Sequence, residues 1–156
     1  MTVFLVRHAD AKSRANWPHP DESRPLTKKG SAQAEGLVDL LHKHPITRVV
    51  SSPYVRCIET VQPLADKLGT KIETSDVLQE GADPTATYDL LRKLAREQGD
   101  AVLCTHGDLV PELLRIASRD GLELADSPRW PKGSTWMIEG DGKRFKRARF
   151  LPPPEA

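Results

Sequence analysis

The sequence has little cysteine, no excess of charge of one sign and no long hydrophobic run. Its two cysteines, Cys57 and Cys104, are too few for a disulfide framework and match no metal-ligand spacing. The 23 Lys and Arg residues nearly balance the 22 Asp and Glu residues, so the chain lacks the broad basic surface of a non-specific nucleic-acid binder. No window approaches the roughly 18 consecutive apolar residues of a membrane helix.

These absences narrow the class of protein. Met1 leads directly into the strand-like TVFLVR, without the basic and apolar regions of a secretory signal. We therefore expect a cytoplasmic protein, a monomer or a small homo-oligomer, with neither nucleic acid nor a membrane as partner. At 156 residues the chain is long enough for one globular domain with its own core. Residues 8–26 show no periodicity and indicate a long loop, a kind of segment that often carries function.

Short apolar runs alternate with helical patterns along most of the chain. The predicted strands are residues 2–7, 46–51, 71–78 and 101–105, and the continuous apolar runs among them are typical of a parallel sheet. The predicted helices run from about Thr27 to His44, from Ser52 and Pro53 to Leu68, from about 85 to 97, and from Asp108 to about Arg119. The segments around Gly140-Asp141-Gly142 predict a hairpin.

This order of elements predicts an α/β fold with three layers, α/β/α. The central sheet is mostly parallel and carries an antiparallel C-terminal edge hairpin. We expect one domain over residues 1–151 and a short tail at residues 152–156.

Two arginines and two histidines follow the carboxyl ends of the predicted strands. Arg7 and His8 end the first strand, and His106 with Gly107 follows the strand at 101–105. Arg56 lies one turn into the helix that follows the second strand. Ligands of parallel α/β sheets bind beyond these strand ends, so we expect the side chains to converge.

Such a constellation suits phosphoryl chemistry. Two guanidinium groups and the N–H groups of helix amino termini can bind a dianionic phosphoryl group. A neutral imidazole can attack phosphorus and form a covalent phosphohistidine. The second imidazole and the arginines can stabilise the charge of the transition state.

Four segments, in order along the chain, resemble the signatures of the histidine phosphatase superfamily, branch 1, the phosphoglycerate-mutase-like group. The segments are LVRHADA at 5–11, RPLTKKGSAQA at 24–34, SSPYVRCIET at 51–60 and LCTHGD at 103–108. Ala9 stands where many relatives have glycine. We expect this change between small residues to be tolerated, as it is in the short bacterial phosphohistidine phosphatases of the SixA type. A similar domain occurs behind a Nudix domain in actinobacterial proteins that act on nucleoside polyphosphates, but no Nudix box is present in this chain.

The resemblance implies roles for individual residues. It implies that His8 is the phosphorylated nucleophile and that Arg7, Arg56 and His106 complete the phosphate pocket with Gly107. It also implies no metal and no organic cofactor.

The general acid is the least defined part of the expected mechanism. Glu80, in LQEGAD after the third strand, is the nearest candidate for protonating the leaving group. A poor acid favours phosphoanhydride or phosphohistidine substrates, because alkoxide leaving groups need proton transfer worth about 10²–10⁴-fold.

Lys12 and Arg14, with Trp17 and Arg24 in the same loop, are candidates for contacting the rest of the substrate. The expected partner is a phosphorylated small molecule, a nucleotide or a phosphohistidine protein.

Three other functions fit the same residues. One is a phosphoglycerate-mutase-like phosphotransferase, which would move the phosphoryl group between hydroxyls of one substrate. A second is a metal-dependent phosphohydrolase with His8, Asp10, His106 and Asp108 as ligands. The third is a non-catalytic sensor that binds a phosphorylated ligand without turnover.

Overall fold

The central strands present apolar side chains on both faces, because their sequences are continuous apolar runs. In the computed structural model, which describes residues 1–156, Val3 and Leu5 of the first strand pack into one hydrophobic cluster, whereas Phe4 and Val6 pack into another. Side chains of successive strand residues point to opposite faces, so two clusters on one strand require a layer of helices on each side of the sheet.

Seven strands and four helices make up these layers. The strands are β1 (Thr2–Arg7), β2 (Ile46–Ser51), β3 (Ile72–Thr74), β4 (Asp100–Thr105), β5 (Glu123–Leu124), β6 (Thr135–Gly140) and β7 (Phe145–Leu151). The helices are α1 (Lys28–Leu41), α2 (Val55–Leu68), α3 (Pro84–Arg96) and α4 (Leu109–Arg119). Single 3-10 turns are found at Arg14–Asn16, Asp21–Ser23 and Asp76–Leu78.

All seven strands form one sheet in the order β3-β2-β4-β1-β6-β7-β5. Strands β3, β2, β4 and β1 are parallel neighbours, and β6 and β7 are antiparallel. Helices α1 and α2 cover one face through residues such as Leu37 and Leu64, and α3 and α4 cover the other through residues such as Leu91 and Leu113. The predicted three-layer α/β fold with antiparallel C-terminal strands is therefore confirmed.

Local sequence sets the ends of the helices. The Thr27 hydroxyl accepts a hydrogen bond from the Gly30 N–H at 3.0 Å and caps α1. Asp83 caps α3, and Pro84 occupies the first helical position, where no N–H is needed. Helix α2 ends at Gly69, whose φ of 68° places it in the left-handed region that favours glycine.

The structure differs from the sequence prediction at several element boundaries. The strand predicted at 71–78 ends at Thr74, because Ser75 leads into the 3-10 turn at Asp76–Leu78. Ser52 and Pro53 do not start α2; the cap position is Tyr54. Helix α1 ends at Leu41, three residues before the predicted His44. The two-residue strand β5, which periodicity did not predict, pairs in parallel with β7 outside the hairpin. No helix combines the length and apolar character that crossing a membrane requires.

Candidate active site

The register of the parallel strands brings the predicted site together at one edge of the sheet. Arg7, the last residue of β1, is paired with Thr105, the last residue of β4. Ser51, at the end of β2, is paired with Cys104. The residue that follows each strand therefore emerges at the same edge, and the ring centroids of His8 and His106 lie 5.4 Å apart.

His8 is held as a neutral imidazole with a defined tautomer. Its Nδ1 lies 2.8 Å from the carbonyl oxygen of Ala9. A carbonyl only accepts hydrogen bonds, so Nδ1 carries the proton and the lone pair is on Nε2. Burial lowers the pKa of His8 to about 4, and the charges of Arg56 and Arg7 act in the same direction against the Ala9 hydrogen bond. At neutral pH the ring therefore carries a lone pair on Nε2.

His106 lies deeper than His8 and is also neutral. Burial lowers its pKa to about 3, and the charge of Arg56 contributes. Its Nε2 lies 2.9 Å from the Ser52 hydroxyl oxygen, which already accepts the Tyr54 N–H at 3.2 Å. Ser52 can therefore donate its own hydroxyl proton to Nε2 of His106, which then acts as the acceptor. In that tautomer Nδ1 of His106 carries the ring proton and can donate it to a ligand.

Arg7 is fixed by the segment that precedes β6. Its Nη1 donates to the carbonyl oxygen of Trp130 at 2.8 Å. Gly107 packs against the same guanidinium: a Cβ at this position would lie 2.6 Å from Cζ of Arg7. Burial lowers the pKa of Arg7, although the charges of Asp108 and Glu80 oppose this shift. The guanidinium thus lies between the strand end and the start of α4.

Arg56 is fully buried and is covered by the loop that follows His8. Its Nη1 donates to the backbone oxygen of Asp21 at 3.0 Å, and its Nη2 donates to Oδ2 of the same residue at 3.1 Å. Its guanidinium carbon lies 4.9 Å from the centroid of the Tyr54 ring. Arg56 therefore lies next to the site, but its Nη groups already donate to the backbone oxygen and the carboxylate of Asp21.

The site opens into a cleft of about 580 Å³ with few apolar walls. The lining residues are Arg7, His8, Ala11, Lys12, Ser13, Arg14, Arg24, Glu80, Gly107, Asp108, Trp130 and Lys132. The predicted site residues are thus on the cleft wall except for three: Trp17 does not line the cleft, and Arg56 and His106 are 0% exposed and lie behind it. Cationic side chains outnumber acidic ones on this wall, although the net charge of the chain is only +1.

Glu80 lines the cleft as a partner of arginine side chains. Its two carboxylate oxygens accept hydrogen bonds from Nη2 of Arg14 at 3.0 and 3.1 Å. Nη2 of Arg56 lies 3.7 Å from the same carboxylate. A general acid donates a hydrogen bond to the leaving group, whereas both oxygens of Glu80 are placed as acceptors of arginine N–H groups.

Unpaired polar atoms concentrate at this site. Four buried side-chain polar atoms in the structure lack a hydrogen-bond partner, and three of them are Nε of Arg7, Nε of Arg56 and Nδ1 of His106. A buried polar atom without a partner is costly, by about 1–3 kcal/mol. Their concentration in three of the four predicted phosphate-site residues indicates a place for a polar ligand.

A second group of residues positions the backbone after His8. The hydroxyl of Thr60 in α2 accepts the Ala9 N–H at 2.9 Å and donates to the Arg56 carbonyl. The side-chain oxygen of Gln33 accepts the Asp10 N–H at 2.9 Å. Gly30 approaches Asp10 so closely that a Cβ would lie 1.9 Å from its carbonyl oxygen. These contacts give the motif segments at 24–34 and 51–60 a structural role. They position the backbone after His8, although they supply few groups to the cleft itself.

Sequence reasoning missed Asp21, Trp130 and Lys132. Asp21 lies in the aperiodic loop and gave no signal, and Trp130 contributes a backbone oxygen, which any residue can supply. Lys132 lies on the cleft wall, with its Nζ 4.0 Å from Oδ1 of Asp10. Pro131 and Lys132 precede β6 in a segment without a recognisable motif.

The residues named as possible metal ligands do not form a ligand set. No group of three or more His, Cys, Asp or Glu side chains is arranged to hold an ion. Oδ2 of Asp108 accepts the Gly81 N–H at 2.8 Å, and Oδ2 of Asp10 accepts the Thr27 hydroxyl at 2.7 Å. Both carboxylates are therefore committed to loop contacts.

Comparison with known proteins identifies relatives across most of the chain. Residues 3–83 match the family described as the histidine phosphatase superfamily (branch 1). An 8-oxo-(d)GTP phosphatase of Mycolicibacterium smegmatis is 34% identical over 157 residues, which cover 99% of this chain and 49% of that protein. A phosphohistidine phosphatase SixA homolog of Haemophilus influenzae is 32% identical over 126 residues, 73% of this chain and 75% of the homolog. The chain thus spans about half the length of the first relative.

Solved structures share the fold at lower identity. The protein histidine phosphatase SixA complexed with tungstate has a TM-score of 0.77 and 24% identity, over 99% of this chain and 97% of that one. A phosphohistidine phosphatase SixA from Agrobacterium tumefaciens, described as putative, has a TM-score of 0.75 and 21% identity, over 97% of this chain and 98% of that one.

Proposed function

Because this chain belongs to the histidine phosphatase superfamily (branch 1), we propose that it is a phosphatase that works through a covalent phosphohistidine on His8. The observation that carries the proposal is the state of His8. Its Nδ1 donates to the Ala9 carbonyl, and its pKa is lowered to about 4 by burial, so a lone pair on Nε2 is available at neutral pH.

The proposed reaction has two displacements at phosphorus. Nε2 of His8 attacks, an N–P bond forms, and the bond from phosphorus to the leaving oxygen breaks with its electron pair on that oxygen. Water then attacks phosphorus, the N–P bond breaks, and phosphate leaves with His8 neutral again. Arg7, Arg56 and the Nδ1 proton of His106 would hold the equatorial oxygens, where the charge of the transition state lies.

The surroundings of Glu80 favour a substrate whose leaving group needs no proton. This carboxylate is bound by Arg14 at 3.0 Å and lies 3.7 Å from Arg56, so it is positioned as an acceptor of arginine N–H groups rather than as a donor to a leaving group. Sugar and alkyl phosphates would leave as basic alkoxides, whereas phosphoanhydrides and phosphohistidine leave with less help. We infer that the substrate has such a labile leaving group.

Two lysines of the cleft favour a leaving group that is itself anionic. Lys12 forms no ion pair, and its Nζ lies 5.9 Å from the centroid of the Trp17 ring. Lys132 is half-exposed, and its Nζ lies 4.0 Å from Oδ1 of Asp10. A nucleoside di- or triphosphate carries a second phosphate that these ammonium groups would bind. The named activity of the Mycolicibacterium relative supports this substrate class, although this chain spans 49% of that protein.

A phosphohistidine protein is the second candidate substrate. The wall of the cleft carries exposed side chains, with Arg14 at 62% and Lys132 at 45% exposure, so a protruding side chain of another protein has access. The named activity of the Haemophilus relative supports this candidate. The cytoplasmic location expected from the sequence remains a proposal.

Rapid-quench labelling with an alkaline quench tests the mechanism. The wild-type protein is mixed with a nucleoside diphosphate labelled in its terminal phosphate and, separately, with a phosphohistidine peptide. We expect acid-labile, base-stable label on His8, formed within one turnover. His8→Asn is the matched control, because the Asn side-chain N–H can replace the Nδ1 donor to Ala9 but offers no nucleophile.

The outcomes separate the alternatives. Turnover by His8→Asn at the wild-type rate, or turnover without any label, would overturn the phosphohistidine mechanism. Binding without turnover of any phosphoanhydride, phosphohistidine or sugar phosphate would support a sensor instead. Activity lost on exhaustive chelation and restored by a divalent ion would support the metal-dependent alternative.

A further inference from the structure

The phosphate-binding arginine of the proposed site is occupied by a carboxylate of the same chain. Nη1 and Nη2 of Arg56 donate to the backbone oxygen and to Oδ2 of Asp21 at 3.0 and 3.1 Å. The Arg56 side chain is 0% exposed and that of Asp21 is 29% exposed, so the carboxylate lies on the solvent side of the guanidinium. A phosphoryl group that reaches these N–H groups of Arg56 from the solvent side must therefore compete with Asp21.

Asp21 can leave Arg56 without becoming an unpaired charge. Its other oxygen, Oδ1, accepts a hydrogen bond from Nε of Arg24 at 3.0 Å and lies 3.3 Å from Nε of Arg14. Burial alone would raise the pKa of Asp21, but Arg24 and Arg56 outweigh it and lower that pKa, so the carboxylate is ionised at neutral pH. Two arginines remain to hold it when the third is released.

The position of Asp21 in the fold also allows the exchange. Asp21–Ser23 is a single 3-10 turn between Pro20 and Arg24, outside every strand and helix of the core. Its displacement breaks no hydrogen bond of the sheet. Loops are the segments in which a local shift costs least.

We propose that Asp21 is an internal anion that competes with phosphoryl groups for Arg56 between turnovers and thereby weakens the binding of free phosphate. The inference rests on the proposed function, since it takes Arg56 as a phosphate ligand. Every ligand competes with the same carboxylate. A substrate compensates with contacts from its leaving group to Lys12 and Lys132, whereas inorganic phosphate has no such contacts. Asp21 therefore favours the release of the product.

The test measures the binding of inorganic phosphate to purified protein by calorimetry, together with product inhibition by phosphate in steady-state turnover. Asp21→Asn keeps the shape of the side chain but replaces a charge-assisted hydrogen bond with a neutral one, so we expect phosphate to bind about tenfold more tightly. Product inhibition should strengthen by the same factor. Glu22→Gln is the matched control: it removes the same charge one residue away, without a contact to Arg56, and should change binding by less than about twofold.

A purely supporting role for Asp21 predicts a change in phosphate affinity of the opposite sign. If the carboxylate only held Arg56 in place, Asp21→Asn and Asp21→Ala would both weaken phosphate binding, and the inference would be wrong while the phosphate site remained. An effect equal to that of Glu22→Gln would also overturn it. If neither the wild type nor any variant bound phosphate, and Arg56→Lys made no difference to turnover, the proposed site itself would be wrong.

Discussion

At the residue scale, the absence of a Cβ atom at Gly107 leaves room for the guanidinium of Arg7, a proposed phosphate ligand. Any side chain at this position would begin 2.6 Å from Cζ of Arg7, well inside van der Waals contact. The guanidinium cannot retreat freely, because its Nη1 is bound to the Trp130 carbonyl at 2.8 Å. Displacement by about 1 Å is enough to reduce catalysis roughly 10²-fold. We predict that Gly107→Ala lowers kcat/KM by about this factor, measured with the best substrate of a turnover screen.

Gly69→Ala is the control for this substitution. Gly69 has open space around it but a φ of 68°, which costs an L-residue about 1–2 kcal/mol. Gly69→Ala should therefore lower the free energy of unfolding and leave kcat/KM unchanged. Gly107→Ala with full activity would mean that Arg7 does not act where the structure places it.

Most residues of the candidate site were predictable because the strands position them. Arg7, His8 and His106 lie at the ends of strands whose parallel register follows from continuous apolar runs. Asp21 was not predictable, since its place over Arg56 depends on the path of a loop without periodicity. The role of Ser52 was misjudged for a related reason: serine before a helix suits a cap, but here the hydroxyl lies 2.9 Å from His106.

At the scale of elements, helix α2 connects the loop after His8 to Arg56, the proposed phosphate ligand. The Thr60 hydroxyl accepts the Ala9 N–H at 2.9 Å and donates to the Arg56 carbonyl at 2.6 Å. Thr60 is 1% exposed, so water cannot replace the hydroxyl at either partner. One side chain thus fixes the residue after His8 relative to the helix turn that carries Arg56.

Thr60→Val removes the hydroxyl while keeping the shape of the side chain. The Ala9 N–H then loses its acceptor, and we expect the free energy of unfolding to fall by about 1–3 kcal/mol. The loop after His8 becomes free to shift, so kcat should fall more than the affinity for inorganic phosphate changes. Thr60→Ser keeps the hydroxyl and should retain most of the activity. Urea unfolding and steady-state kinetics provide both measurements, and equal kinetics for the two variants would contradict this role.

Element boundaries were the weakest part of the sequence prediction, and the reasons are local. β3 was predicted to reach residue 78, but only Ile72–Thr74 pair with β2, and Val77 and Leu78 reach the core from a 3-10 turn. A short apolar stretch does not distinguish these conformations. The two residues of β5 are too few to show any period, so that pairing with β7 arises from tertiary packing alone.

On the scale of the whole molecule, the layered fold was predictable from the apolar residues. They form continuous runs in the strands and recur at helical spacing in the helices. The alternation of strands and helices over residues 2–119 implies helices on both faces of a parallel sheet. The strand order could not be read in the same way. β6 and β7 follow α4 in sequence, yet β6 adds beside β1, the first strand, through distant pairings such as Thr2 with Glu139, and β7 adds beside β6.

Burying two histidines beside two arginines makes the stability of the whole fold dependent on pH. The folded protein holds the pKa of His8 at about 4 and that of His106 at about 3, both from 6.5 and both mainly by burial. Between pH 6.5 and 4 the unfolded chain therefore binds protons that the folded chain does not. The free energy of unfolding must fall as pH falls through this window, by up to about 1.4 kcal/mol per pH unit for each histidine.

His8→Asn isolates one of these contributions, since it removes a titrating group and leaves the carboxylates and His106 in place. We predict that the stability of the wild type relative to His8→Asn declines by on the order of 3 kcal/mol between pH 7 and pH 4. Urea unfolding in buffers without phosphate measures this difference, because a bound anion would add its own stabilisation of the folded state. Parallel pH curves for the two proteins would mean that the pKa of His8 is the same in the folded and unfolded chains, so that burial does not hold the ring neutral below pH 6.5.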